Sequence, residues 1–349
     1  MLPQEAIEEL EKQQYRIVGE NKHSSVKVCG WTKNSLTGKG TCYKHRFYGI
    51  RSHRCLQMST AMSCANRCVF CWRGYKAPVS KEWPCGVDEP DDIIEESIEA
   101  HKDLLTGYGG HPDKDEKLFA EAQEPRHVAL SLTGEPITYP KINEIIRKFH
   151  ERGISTFMVT NAQYPDEIAA LEPVTQLYLS IDAPTEELLK QVDAPLFTDY
   201  WERMLRSLDA LKEKEGRTTI RLTMIRGLNM VEPEAYAELI RRGDPDFVEV
   251  KAYMFVGASR QRLSMENMPY HADVKAFAEE VVKRLPGYSV ADEHEPSRVV
   301  LLAKDGFYDD GWKTWIDFDA FFTAWKKHEQ DGAPVRKEDC TTRWTHRKE

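Results

Sequence analysis

Five short runs of buried-type residues punctuate the middle of the chain: 128–132 (VALSL), 156–160 (TFMVT), 177–181 (LYLSI), 219–224 (TIRLTM) and 247–255 (FVEVKAYMF). Their length and their β-branched and aromatic content predict strands. Helical runs are predicted between them at 141–152, 165–171, 185–192 with 199–214, and 233–242. Strand alternating with helix is the signature of parallel βαβ units. A strand around 54–58 and a helix over 88–105 precede the series, and a helix over 271–285 leads to two closing or edge strands at 288–293 and 298–303. About six βα units result, so the pattern predicts an α/β fold, an incomplete (βα)6 barrel with its ligand face at the carboxyl ends of the strands.

The flanks are less regular. Residues 4–14 predict an acidic amphipathic helix, whereas 17–60 show little helical periodicity and read as a loop-rich element that needs outside help to be ordered. A long insertion is expected at 106–125, and a helix over 318–328 precedes a basic tail. Three segments follow: 1–60 with the first helix and a cysteine-rich stretch, 61–305 as the barrel, and 306–349 as a C-terminal extension.

Composition places the chain among globular proteins, with 41% hydrophobic and 30% charged residues in 349. There is no apolar run of about 18 residues and the start is not that of a signal peptide, so a cytoplasmic protein without membrane segments is expected. Eight cysteines in a reducing compartment point to metal ligation rather than disulfides. The net charge of −9 conceals a segregation, because residues 21–81 hold twelve Lys and Arg and no Asp or Glu. Such a stretch predicts a polyanionic partner whose affinity falls with salt.

Cys64, Cys68 and Cys71 stand in a C-x3-C-x2-C spacing within the stretch MSCANRCVFCWRGY. Three thiolates on a 4Fe–4S cubane would leave one iron open to a ligand that is not protein. The competing reading is a structural zinc knot closed by Cys85 or His53. Cys29, Cys42 and Cys55 form a second series, each thirteen residues from the next. They read either as a second metal site that orders a core-poor segment or as three unrelated buried thiols. Cys85 and Cys340 match no ligand pattern. Residues just past the strands should converge on the ligand face: Gly134, Glu135 and Pro136 in TGEP, Asn161 after the second run, and Ser180 and Asp182 at the third.

The C-x3-C-x2-C motif with Phe70 before its last cysteine, followed by TGEP, resembles the radical S-adenosylmethionine superfamily. The resemblance implies a cluster on Cys64, Cys68 and Cys71 whose open iron chelates the cofactor's methionine, reductive cleavage to a 5′-deoxyadenosyl radical, and cofactor contacts from Gly134, Glu135, Pro136, Asn161, Ser180 and Asp182. The thirteen-residue ladder, Lys44 in CYKHRFYGI, and the stretches LTGEP, MVTNAQYP, LSIDAP and VEVKAYMFVGASR are similar to the tRNA 4-demethylwyosine synthases over roughly residues 20–305. No flavodoxin-like stretch precedes the barrel, so the stand-alone, archaeal-type form is expected.

That family joins a two-carbon fragment of pyruvate to N1-methylguanosine beside the tRNA anticodon, a carbon-carbon lyase reaction. The likeness implies two 4Fe–4S clusters, S-adenosylmethionine, an external electron donor and a monomer. A second cluster on Cys29, Cys42 and Cys55 would bind pyruvate, and Lys44 would form a Schiff base with its ketone; the alternative for Lys44 is a solvated phosphate contact. Candidate phosphate contacts are Lys33, Lys39, Arg46, Arg51, Arg67, Arg73, Lys76, Arg260 and Arg262. Trp72 and Tyr75 would stack on bases or pack in the core. Other radical enzymes acting on RNA, a maturase, and a zinc-stapled RNA-binding module without catalysis are the competing functions.

Overall fold

A computed structural model describes residues 4–74 and 77–343. Tyr75 and Lys76, expected to stack on a base and to contact phosphate, lie outside the described residues. The chain runs α1 (Gln4–Lys12), β1 (Arg16–Val18), β2 (Ser24–Val26), α2 (Gly30–Leu36), α3 (Tyr43–Tyr48), β3 (Cys55–Ser59), α4 (Pro90–Leu105), α5 (Glu116–Ala122), β4 (His127–Leu130), α6 (Ile142–Glu151) and β5 (Ser155–Thr160). It continues through α7 (Pro165–Ala169), β6 (Gln176–Ser180), α8 (Glu186–Asp193), α9 (Tyr200–Lys212), β7 (Thr218–Met224), α10 (Pro233–Gly243), β8 (Phe247–Ala252), α11 (His271–Val282), β9 (Tyr288–His294), β10 (Val299–Lys304), β11 (Trp315–Ile316), α12 (Phe318–Asp331) and β12 (Thr341–Thr342). It divides into two compact units, one of residues 4–46, 50–65 and 77–160, the other of residues 47–49, 66–74 and 161–343.

In the first unit β3, β4 and β5 are parallel, and β2 joins β3 antiparallel. Every residue of β4 is buried, as a strand covered on both faces requires. Helix α6 shows why the connecting segments are helical: Ile142, Ile145, Ile146 and Phe149 fall on one face and are buried. It ends where Gly153 takes a left-handed conformation (φ 66°) and the Ile154 N–H donates to the Phe149 carbonyl at 2.9 Å.

Two irregular stretches are more ordered than their polarity suggests. Residues 17–60 contain α2 and α3, and the expected insertion contains α5, whose first turn is capped by Asp115 accepting from the Leu118 N–H. The reason is mutual: Leu118, Phe119 and Ala122 of α5 pack with Val28 and Leu36, so each stretch supplies the core the other lacks.

In the second unit β6, β7 and β8 are parallel, and β10 pairs antiparallel with both β8 and β9, the closing strands expected from the sequence. Strand β8 stops at Ala252 rather than Phe255, because its parallel partner β7 ends at Met224, whose carbonyl takes the last ladder bond from the Tyr253 N–H. Tyr48 belongs to this unit, and its hydroxyl donates to Glu249 at 2.9 Å; Glu249 is fully buried and also accepts from Arg221. Phe321, Trp325, Val335 and Cys340 form a separate cluster under α12, so Cys340 is a packing thiol that burial pushes up to about 11. Among the described residues no helix is long and apolar enough to cross a membrane.

Candidate functional site

The early cysteines each stand at the start of an element in the first unit. Cys29 caps α2, Cys42 precedes α3 and receives the His45 N–H on its carbonyl, and Cys55 opens β3. Strand alternation puts Leu56 and Met58 on the helix-covered face and Cys55 and Gln57 on the other, and the parallel register carries that face across Ala129 to Phe157. Lys44 reaches this face: its Nζ lies 5.1 Å from the centre of the Phe157 ring and the residue is only 8% exposed. Such burial excludes the solvated phosphate contact.

The three thiols and the lysine act on one another. Burial pushes the Cys55 thiol up to about 12, the neighbouring Cys29 and Cys42 push it further, and Lys44 opposes them. Three thiols, each at the start of an element, are the kind of soft donor set that a 4Fe–4S cluster takes. Among the described residues no three His, Cys, Asp or Glu side chains form a single-ion site, in either cysteine series.

Cys64 is buried, and its carbonyl accepts from the Ser80 N–H at 3.2 Å. The turn TGEP is fastened to the same approach. Gly134 is left-handed (φ 65°), the Glu135 N–H donates to the Ser63 carbonyl at 2.8 Å, and the Thr60 hydroxyl donates to the Pro136 carbonyl at 2.9 Å. Close backbone approach, the role expected of Gly134, is thus present, and Glu135 beside it is buried.

Cys68 and Cys71 share one short turn of the second unit, with the Cys71 N–H donating to the Cys68 carbonyl at 3.1 Å. The end of α8 grips this loop: the Arg67 N–H donates to the Asp193 carbonyl and the Val69 N–H to the Val192 carbonyl, each at 2.8 Å. The Asp193 carboxyl is buried and accepts from the Asn66 amide, and burial, reinforced by Asp182, pushes it well above the usual carboxylate range. Sequence reasoning missed Asp193. Its one signal was an acid at a helix C-terminus, where the helix dipole disfavours it.

Asn161 turns back on its own loop, its Oδ1 accepting from the Gln163 N–H at 3.0 Å. Ser180 ends β6 half-buried beside Arg221 in register. Asp182 is buried and accepts from the Thr223 N–H at 3.2 Å, and burial pushes its carboxyl up to about 6.

The cations divide into two groups. Lys39, Arg46, Arg51, Arg67 and Arg260 are exposed. Lys33 donates to Gln14 and half-buried Arg73 to the Asn66 carbonyl. Arg262 is a correction: its guanidinium donates to the carbonyls of Val69, Cys71 and Arg73, so it is a scaffold cation rather than a phosphate contact. Trp72 is half-buried.

Comparison with known proteins agrees with this architecture. Residues 58–240 match the radical SAM superfamily and residues 242–304 the family of wyosine base formation. The chain is 50% identical over 336 residues to the S-adenosyl-L-methionine-dependent tRNA 4-demethylwyosine synthase of Oryza sativa subsp. japonica, covering 95% of this chain and 50% of that protein. It is 48% identical over 309 residues to the synthase of Pyrococcus abyssi, covering 87% of this chain and 90% of that one. The chain spans about half the length of the plant and animal relatives it matches. The fold matches a solved structure of TYW1 with a lysine-pyruvate adduct bound, with a TM-score of 0.78 and 39% identity over 88% of this chain and 97% of that one. With a radical SAM α/β fold and these identities, the chain belongs to the tRNA 4-demethylwyosine synthase family.

Proposed function

We propose that the chain condenses N1-methylguanosine beside the tRNA anticodon with pyruvate to form the tricyclic 4-demethylwyosine base, as a monomer fed by an external electron donor. The observation that carries this reading is Lys44, two residues after Cys42, buried against the Phe157 ring, in a chain similar to a protein that holds a lysine-pyruvate adduct. Cys64, Cys68 and Cys71 hold the first 4Fe–4S cluster, and Gly134, Glu135, Pro136, Asn161, Ser180 and Asp182 serve S-adenosylmethionine. The early trio holds the second cluster.

When bound, S-adenosylmethionine and the cluster on Cys64, Cys68 and Cys71 would supply a 5′-deoxyadenosyl radical able to take hydrogen from the N1-methyl group. The residues of the chain do the rest of the positioning. The Lys44 amine, once it has given up its proton, attacks C2 of pyruvate, the keto oxygen leaves as water, and a C=N bond anchors the carbon donor. The Phe157 ring beside Lys44 keeps water from this bond. The methylene carbon of the base would bond to C2, the C1–C2 bond would break, and C1 would leave as CO2 with one electron returned to a bound cluster. The exocyclic amine of the base would then displace the Lys44 amine at C2 and close the third ring. Exposed Lys39, Arg46, Arg51 and Arg67, in a stretch without carboxylates, meet the tRNA phosphates.

The test is mass spectrometry of tRNA carrying N1-methylguanosine after anaerobic incubation with the reconstituted protein, pyruvate, S-adenosylmethionine and a reductant. The tricyclic base is the expected product. Cofactor cleavage by protein carrying both clusters, without that base, overturns the reading.

A further inference from the structure

We propose that Arg262 is a positioning residue that shapes the loop bearing Cys68 and Cys71 and tunes the cluster they hold. The inference rests on the reading that Cys64, Cys68 and Cys71 are cluster ligands.

Residues 66–74 contain no helix or strand, so nothing in their own backbone pattern determines where the two thiols point. The loop is shaped from outside. Arg262 Nε donates to the Val69 carbonyl at 2.9 Å, and Nη2 donates to the Cys71 carbonyl and, at 3.4 Å, to that of Arg73. A planar guanidinium can hold several carbonyls in one fixed fan, which an ammonium cannot. The same segment adds a second strap, because the Ala258 N–H donates to the Trp72 carbonyl at 2.9 Å. Gly257 permits that approach: it is left-handed (φ 58°), and a β-carbon there would stand 2.5 Å from the Trp72 carbonyl oxygen. With α8 holding Arg67 and Val69 by their N–H groups, the loop is gripped by amides on one side and carbonyls on the other.

Charge gives the clamp a second consequence. A cluster with three thiolates becomes more negative when it takes an electron, and a permanent cation hydrogen-bonded to the peptides of that loop favours the reduced form. Arg262 thus eases the electron transfer on which cofactor cleavage depends.

The test compares full-length R262Q and R262K with the parent. Without clusters, amide hydrogen exchange over residues 67–74 is expected to quicken at least tenfold in both variants, since neither has the fork. In the reconstituted proteins, a redox titration of the cluster whose spectrum responds to S-adenosylmethionine reads the charge. R262Q is expected to lose at least tenfold in the reduced-to-oxidised ratio, about 59 mV for one electron, and R262K to stay near the parent. Unchanged exchange in both variants, or an unchanged potential in R262Q, overturns the proposal. Should R262Q not fold, parent-like exchange in R262K overturns it alone. Replacing Cys64, Cys68 and Cys71 by Ala tests the ligand reading apart: survival of the responsive cluster defeats that assignment, while exchange still measures the clamp.

Discussion

Gly134 lies so close to Ala61 that a β-carbon on the glycine would stand 1.8 Å from the Ala61 carbonyl oxygen. The contact is backbone against backbone, so no side-chain rotation relieves it. Gly134→Ala also forces an L side chain into a left-handed conformation (φ 65°). A loss of about 3 kcal/mol in denaturant unfolding is expected. The approach to Cys64 should shift with it, so the variant should bind less iron than the parent while Gly153→Ala, far less crowded, should not.

The placement of Cys29, Cys42 and Cys55, each at the start of an element, predicts a separable second centre. Reconstituted protein should carry about eight irons, and the triple alanine variant about four. Uncoupled cleavage of S-adenosylmethionine should survive in the variant while tricyclic base formation stops. Full product formation by the variant would remove the second cluster from the mechanism.

Lys44 is the third point of attack. Borohydride with labelled pyruvate should mark the parent on this residue, as peptide mapping would show. Lys44→Ala should take no label and should form product at least about a hundredfold more slowly, a barrier rise of about 2.7 kcal/mol. Persistent labelling of the variant would place the adduct elsewhere.

Stability should also depend on pH through two buried histidines. Burial holds His101 neutral down to about 4 and His150 down to about 3, whereas in the unfolded chain both titrate near 6.5. Below 6.5 the unfolded chain binds more protons, so stability is full above that value and falls as the pH drops toward the folded values. Each histidine contributes about 1.4 kcal/mol per pH unit in that window. His150→Gln should flatten the slope of unfolding free energy between about pH 6 and pH 4 by that amount.

The elements were legible because their signals are local. The runs around Val128, Thr156 and Thr219 became β4, β5 and β7, and α6 carries its apolar face in its own spacing. The cysteine spacings were equally local, and the turn with close backbone approach at Gly134 was implied by its residue types. The outside help expected for residues 17–60 comes from α5, but the helices in 17–60 and 106–125 could not be read beforehand because each stretch hides its apolar face against the other, a pairing that no window of sequence contains.

By itself the sequence determined the order of strands and helices, the two cysteine series and the segregation of charge, all of which depend on neighbours a few positions apart. Only the tertiary structure decided that Lys44 is buried rather than solvated, that Arg262 spends its guanidinium on a loop 191 residues away at Cys71, and that Asp193 is buried against Asn66 and Arg67 of that loop. The physical reason is that a charge's role depends on what desolvates and faces it, and chain folding brings those partners from distant positions.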